Sequence, residues 1–184
     1  PGVPDVEGAE GFKAIPEAME AAFPDLIETI EDLIAEGDRV VERFTLRGTV
    51  ASSYQRGGVT HTRELFASKP DEVLVFRVSA DQPGALSFAA RLARQKRVSY
   101  RFDGADGLVM SGQLHNGKPD AAGMRYMARL KAVVNGGRIS PGAKPEDGLQ
   151  IQGANAVTFY LTAGTDYVDK NFEQTTARQL ASAM

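Results

Sequence analysis

The fold of this chain is decided by the stretch Glu72-Val73-Leu74-Val75-Phe76-Arg77-Val78-Ser79-Ala80. From Val73 to Phe76 the run is apolar at every position, and its β-branched and aromatic side chains favour an extended strand. An uninterrupted apolar run of this length is typical of a strand that is covered on both faces. We therefore predict a central strand here, with Val73, Val75 and Phe76 buried.

Short runs of strand-forming residues continue on both sides of this stretch. They are separated by turn sequences such as Gly57-Gly58, Asp81-Gln82-Pro83-Gly84 and Asn135-Gly136-Gly137. Many short strands with this spacing favour an antiparallel β-sandwich. The predicted strands cover residues 50–56, 59–67, 72–80, 85–93, 98–102, 108–111, 124–134, 149–152 and 156–163, and Leu86, Phe88, Phe159 and Leu161 are expected to join the core.

The strand predicted at residues 124–134 has a different pattern. Its apolar residues alternate with Arg125, Arg129 and Lys131. Strict alternation places apolar and polar side chains on opposite faces of a strand. This pattern predicts that one face of the strand is turned largely to water.

The two ends of the chain differ from the strand-rich middle. Residues 9–22 have the apolar spacing of a helix, and residues 26–35 and 39–46 bracket the turn Glu36-Gly37-Asp38 as a hairpin. The tail Phe172–Met184 is polar and Ala-rich, which predicts a terminal helix or a frayed end. The expected fold is mainly β: a partial antiparallel β-sandwich with an N-terminal α-helix and β-hairpin appendage, divided into segments 1–48, 49–171 and 172–184.

The composition excludes several classes of function. The 184 residues are 42% hydrophobic and 24% charged with a net charge of -3, as in an ordinary soluble globular protein with one core. This charge is not the footprint of a nucleic-acid-binding protein, and no apolar run approaches the roughly 18 residues of a membrane span. The chain has no cysteine, so thiol nucleophiles and Cys-ligated zinc are excluded. No signal peptide is visible, and a chain that begins with Pro1 rather than Met could have lost its natural start, so the compartment stays open.

Residues 1–49 resemble the N-terminal part of SnoaL-like polyketide cyclases, which have the NTF2-like α+β fold. The matching words are Pro1-Gly2-Val3-Pro4, Glu10-Gly11-Phe12, Ala22-Phe23-Pro24-Asp25-Leu26, the run from Glu31 to Val41, and Arg47-Gly48-Thr49. The resemblance implies a sheet that curls around a ligand cavity. The later strands of that fold, which carry the family's acid-base residues, have no match in this sequence.

Residues from Thr49 to about Asn171 resemble the N-terminal β-sandwich domain of glycoside hydrolase family 95, the α-L-fucosidase type. The resemblance is carried by the runs 57–68, 70–77 and 79–88, and by Gly123-Met124-Arg125-Tyr126 and Ala163-Gly164-Thr165-Asp166-Tyr167. It implies that the family's catalytic carboxylates lie in an (α/α)6 barrel that follows this domain. We expect the barrel as a partner in the parent enzyme, and carbohydrate is a candidate ligand.

The residues themselves supply no catalytic pair. Glycoside hydrolysis needs a general acid and a second, opposed carboxylate. Asp103 and Asp106 flank a glycine turn and are expected to be turn residues, whereas Glu31 and Asp32 are adjacent and would point to opposite faces of a strand. We predict no catalytic residue, metal or cofactor. The spacing around His61 and His115 supplies neither a zinc ligand set nor a nucleophile-base pair.

The candidate contacts to carbohydrate or to another domain are polar and aromatic. On the strand at 59–67, His61 and Arg63 share one face and Glu64 takes the other. A structural role in a polar patch is the alternative for His61, and a core role is the alternative for aromatic strand residues such as Tyr126. The candidate set is His61, Arg63, Glu64 and Tyr126.

The leading hypothesis for function is a non-catalytic accessory sandwich of an α-L-fucosidase-like glycoside hydrolase, which buttresses the catalytic barrel and is expected to be inactive alone. The main alternative is a SnoaL-like small-molecule cavity protein of the cyclase or isomerase type. A chimeric fragment without evolved function is the third possibility.

Overall fold

The computed structural model describes Asp25 and residues 27–36, 39–115 and 122–184. The chain divides into two compact units, Pro1–Ala51 and Ser52–Met184. The helix predicted at 9–22, the residues of the Gly37-Asp38 turn and residues 116–121 lie outside the described part.

In the first unit, β1 (Ile27–Glu36) and β2 (Arg39–Arg47) form an antiparallel hairpin, as predicted. The register shifts between Ile30 and Asp32, which marks a β-bulge in β1. The backbone N–H of Thr49 donates a hydrogen bond of 2.6 Å to Oδ1 of Asp25. That bond ties the segment that follows the hairpin to the segment that precedes it.

The second unit contains the other strands and one helix. The strands are β3 (Val50–Arg56), which begins just before the unit boundary, β4 (Val59–Ser68), β5 (Val73–Ala80), β6 (Leu86–Ala90), β7 (Ser99–Phe102), β8 (Gly107–His115), β9 (Ala122–Asn135), β10 (Arg138–Pro141), β11 (Leu149–Ala154) and β12 (Ala156–Thr165). A 3-10 turn (Pro145–Asp147) precedes β11, and helix α1 (Phe172–Ser182) ends the chain.

Two antiparallel sheets make the sandwich. The larger sheet has seven strands in the order β3-β4-β5-β12-β9-β8-β7, and the smaller has the order β10-β11-β6. Between the sheets lies a core of apolar side chains that includes Leu108, Leu149, Ile151, Val157 and Phe159. The predicted mainly β, antiparallel fold is therefore confirmed.

The central position of β5 agrees with its sequence. β5 pairs with β4 on one side and β12 on the other. Val73 and Val75 are buried on one face, while Phe76 is half-buried on the other face and packs against the core. Leu86 and Phe159 are also buried as predicted, and Phe88 and Leu161 are half-buried against the same core.

Helix α1 changes the environment of β9. The prediction of a water-facing side holds only in part: α1 covers that side at Met127 and Arg129, whereas Arg125 and Val133 remain exposed. Met127 is only 7% exposed and packs with Phe172 of α1, and the Arg129 side chain is only 12% exposed. The Arg129 guanidinium donates to the Thr176 hydroxyl and to the Glu173 carbonyl of the helix. The polar alternation thus marks a face that the helix partly covers.

Other differences concern strand ends. Strand β10 was not predicted, β8 is longer than expected and β6 ends at Ala90 rather than at residue 93. Strand β6 pairs with β11, about sixty residues later in the chain. Its length therefore depends on a distant partner that a local pattern does not reveal.

Candidate functional site

A cleft opens at the end of the sandwich where β3, β4, β5 and β6 meet. Its volume is about 800 Å³, within the range of small-molecule sites. Polar and aromatic groups line one side, and apolar groups line the base. The lining residues are Tyr54, Arg56, Gly57, His61, Arg63, Phe76, Val78, Ala85, Leu86, Ser87 and Phe88.

The β3–β4 hairpin delivers the polar side of the cleft. Gly57 and Gly58 form its two-residue loop with φ values of +59° and +77°, the positive values that a type I′ hairpin turn needs and that glycine adopts without strain. In the ladder to β5, His61 lies opposite Ala80 and Arg63 opposite Val78. The period of two then places His61 and Arg63 on the cleft face.

Tyr54 of β3 holds these two side chains in a cluster. Its ring stacks on the His61 imidazole with ring centres 4.8 Å apart and planes 16° apart. The Arg63 guanidinium carbon lies 4.6 Å from the centre of the same ring, within cation-π range. The three side chains are therefore held together before any ligand binds.

Two details set the electrostatics beside this cluster. Nδ1 of His61 is buried and has no hydrogen-bond partner among the described residues. Nearby, Asp81 accepts a 2.9 Å hydrogen bond from the Thr60 backbone N–H. The backbone N–H and then the hydroxyl of Thr60 lower the pKa of Asp81, and the His61 charge adds to this effect.

The other two candidates lie elsewhere. Glu64 is on the opposite face of β4, where a carboxylate oxygen lies 3.7 Å from Nε of Arg77. The Tyr126 hydroxyl donates a 2.8 Å hydrogen bond to the Arg97 carbonyl, and the Arg94 guanidinium lies 4.8 Å from the Tyr126 ring centre. The structure thus brings His61 and Arg63 together and separates Glu64 and Tyr126 from them.

Tyr54 and Arg56 complete the site, and neither is among the four candidates predicted from the sequence. The sequence does carry a signal for Arg56. That signal is its position two residues beyond Tyr54 on the same strand face, just before the Gly57-Gly58 turn.

Asp103 and Asp106 have the structural roles that their turn predicts. The Asp103 backbone N–H donates to the Gly107 carbonyl, and its carboxylate lies 3.4 Å from Nη1 of Arg129. The Asp106 carboxylate accepts a 2.5 Å hydrogen bond from Nζ of Lys131. Each carboxylate therefore has a cationic partner on β9.

Two acidic side chains next to α1 are also stabilised in their charged form. The Arg125 side chain and then its backbone N–H lower the pKa of Asp166. The Thr175 hydroxyl and then the Asn171 N–H lower the pKa of Asp169. A general acid in glycoside hydrolysis needs the opposite change, a raised pKa.

Within the described ranges, no group of three or more His, Cys, Asp or Glu side chains is arranged to hold a metal ion. None of the helices in the described part is long and apolar enough to cross a membrane.

A second cleft, of about 520 Å³, lies farther along the space between the two sheets. Its walls are almost entirely apolar. Leu65, Leu74, Phe76, Phe88 and Phe159 are among the residues that line it. At this end of the sandwich the smaller sheet leaves part of the larger sheet uncovered, and Leu74 is 37% exposed.

Comparison with known proteins gives matches in both parts of the chain. A family model for the SnoaL-like polyketide cyclases matches residues 2–68. A model for the N-terminal domain of glycosyl hydrolase family 65 matches residues 46–170. The predicted resemblances to a SnoaL-like segment and to the N-terminal sandwich of an α-L-fucosidase-type glycoside hydrolase are confirmed, although the prediction named family 95 and the matching model describes family 65.

One curated relative is Alpha-L-fucosidase 2 of Arabidopsis thaliana, which is 36% identical over 74 residues. The match covers 35% of this chain and 9% of the relative, so it spans only a small part of that protein. The glycosidase family model, by contrast, covers more than half of the present chain and includes every strand of the sandwich. The chain belongs to the family of glycosyl hydrolase family 65 N-terminal domains.

Proposed function

We propose that the sandwich serves as the non-catalytic accessory domain of a glycoside hydrolase of the α-L-fucosidase type. The observation that carries this proposal is the family match over residues 46–170, which includes β3 to β12. The fucosidase relative supports the substrate class. In this role the domain supports a catalytic barrel and contributes to the surface that contacts carbohydrate.

The charges of the sandwich support a non-catalytic role. Asp103 and Asp106 are paired with Arg129 and Lys131. Glycoside hydrolysis needs a general acid that is free to reach the leaving group and faces a second carboxylate. Each aspartate is instead held by a cation of β9 at the turn, which is a structural role.

The apolar cleft lined by Leu65, Leu74 and Phe88 supports a buttressing role. Exposed apolar surface of this kind commonly marks an interaction site. The occupant that we assign to it is the catalytic part of the same enzyme, because the fucosidase relative extends far beyond the matched segment. His61, Arg63, Glu64 and Tyr126 remain proposed contacts to carbohydrate or to that neighbouring domain.

The test is hydrolysis of 4-nitrophenyl α-L-fucoside by two proteins: the 184-residue chain, and the same chain extended along the reading frame of its source DNA. We expect that the 184-residue chain alone does not hydrolyse the fucoside. An extended protein that contains a catalytic barrel should hydrolyse it. Turnover by the chain alone that disappears in Asp103→Asn or Asp106→Asn would overturn the proposal.

The SnoaL match over residues 2–68 favours a second candidate function, a small-molecule cavity protein. The two matches overlap at residues 46–68. In the structure, β3 and β4 belong to the seven-stranded sheet, and β4 pairs with β5 along its length. These pairings favour the sandwich reading for the overlapping segment.

A further inference from the structure

The cations on the larger sheet differ in how they are paired. Five of them have a side-chain nitrogen between 2.5 and 3.8 Å from a carboxylate oxygen: Arg77, Arg101, Arg125, Arg129 and Lys131. Arg56 and Arg63 form no ion pair with a described carboxylate. Both of these unpaired guanidiniums line the cleft beside β6.

The unpaired positive charge is held in place. The Arg63 guanidinium lies over the Tyr54 ring, and the same ring stacks on His61. A planar guanidinium that is already positioned loses less conformational entropy when it forms paired hydrogen bonds with a carboxylate. The buried Nδ1 of His61, which lacks a described partner, adds an unsatisfied polar group to the cluster.

The rest of the cleft is apolar and aromatic. Phe76, Val78 and Phe88 line its base. An inorganic anion gains no favourable contact from an apolar cleft floor. A sugar ring, by contrast, presents C–H groups that pack on apolar and aromatic surface. The volume of about 800 Å³ is large enough for a short saccharide.

We propose that this cleft binds an acidic saccharide, with the carboxylate of a uronic acid on Arg63 and Arg56 and the sugar ring over Phe76 and Phe88. The saccharide class rests on the proposed glycosidase function, and the acidic group rests on Arg56 and Arg63, which have no carboxylate partner among the described residues. The site would recognise an acidic sugar in the substrate, separately from the chemistry of bond cleavage.

The experiment is calorimetric titration of the full 184-residue chain with a galacturonic acid disaccharide. Galactobiose, the neutral counterpart, and acetate are titrated in parallel. We expect the acidic disaccharide to bind with a Kd below about 1 mM and at least about tenfold more tightly than either control. Binding of galactobiose with equal affinity would overturn the acidic part of the proposal, and equal binding of acetate would overturn the saccharide part.

Variants then locate the site. Arg56→Gln and Arg63→Gln should each weaken binding of the acidic disaccharide by about tenfold or more. Arg77→Gln is the matched control, because it removes the same charge from the opposite face of the neighbouring strand. The affinity of this variant for the acidic disaccharide should equal that of the wild-type chain. Arg63→Lys keeps the charge without the planar fork and should bind with intermediate affinity. Thermal midpoints of all variants establish that they are folded.

Binding by the wild-type chain that is unaffected in folded Arg56→Gln and Arg63→Gln would overturn the assignment to this cleft. Absence of binding to the wild-type chain would overturn the inference as a whole. Neither result bears on the fucoside hydrolysis test, so this inference and the proposed accessory role fail separately.

Discussion

Arg63 and Glu64 are neighbours in the chain and lie in different chemical environments. Because successive strand residues point to opposite faces, Arg63 enters the cleft and Glu64 pairs with Arg77 on the far side of the sheet. The alternation along β4 was readable from the sequence. That the Arg63 face lines a cleft was not, because the opposite wall comes from β6.

Phe76 should be important for stability. Its ring stacks on Phe159 with centres 6.1 Å apart, and it packs against the core between the sheets. We expect Phe76→Ala to lower the free energy of unfolding by about 3 kcal/mol, the lower end for such changes because the ring is only half-buried. Phe66→Ala is the control: Phe66 is 41% exposed on the other face of β4, and its loss should cost clearly less, about 1 to 2 kcal/mol. Urea denaturation measures both, and equal costs would contradict the assigned register.

Asp166 should make stability depend on pH. Its lowered pKa means that the folded state favours the carboxylate, which accepts hydrogen bonds from the Arg125 side chain and backbone. This contribution is present above the unfolded pKa of about 4 and is lost as the pH falls through the lower folded value. Asp166→Asn should therefore lower the thermal midpoint at pH 7 and have a smaller effect near pH 3.

Glu146→Gln is the control for this substitution. Glu146 is an exposed carboxylate in the 3-10 turn, and its replacement should leave the thermal midpoint at pH 7 nearly unchanged. An Asp166→Asn effect that is as large at pH 3 as at pH 7 would contradict the electrostatic explanation.

Helix α1 is the element whose packing was least predictable from local sequence patterns. The tail was predicted as a helix or a frayed end, and the polar face of β9 was predicted to meet water. In the structure the helix packs on the sheet through polar groups of both. Arg129 of β9 donates hydrogen bonds to the helix, and the Thr162 hydroxyl of β12 donates a 2.9 Å hydrogen bond to the Thr176 carbonyl. A local pattern does not show that two polar elements will cover each other.

Gly164 controls how closely α1 approaches β12. A Cβ at this position would lie 2.9 Å from Cγ2 of Thr176 and 3.3 Å from Cβ of Phe172. We expect Gly164→Val to displace the helix and lower stability by about 1 to 3 kcal/mol, as overpacking does. Ala163→Val adds comparable bulk at an exposed neighbouring position and should cost under about 0.5 kcal/mol. Thermal denaturation compares the two variants, and similar midpoints would argue against close packing of α1 on β12.

For the whole molecule, the sequence predicted the fold class and the two resemblances. It did so because turns, strand alternation and apolar runs are local signals. It did not predict the small sheet, in which β6 pairs with β11 and β11 with the unpredicted β10. The cleft needs both sheets, so its shape depended on those distant pairings.

We propose that the glycosidase-type sandwich, built by residues from the start of β3 to α1, is a domain in its own right. The test is to compare the thermal unfolding of fragment 49–184 with that of the full chain, with circular dichroism as the readout. A domain with its own core should fold without residues 1–48 and unfold in one cooperative transition. A fragment that shows no cooperative transition, or lacks a β-sheet spectrum at 25 °C, would contradict the proposal that the sandwich is an independent domain.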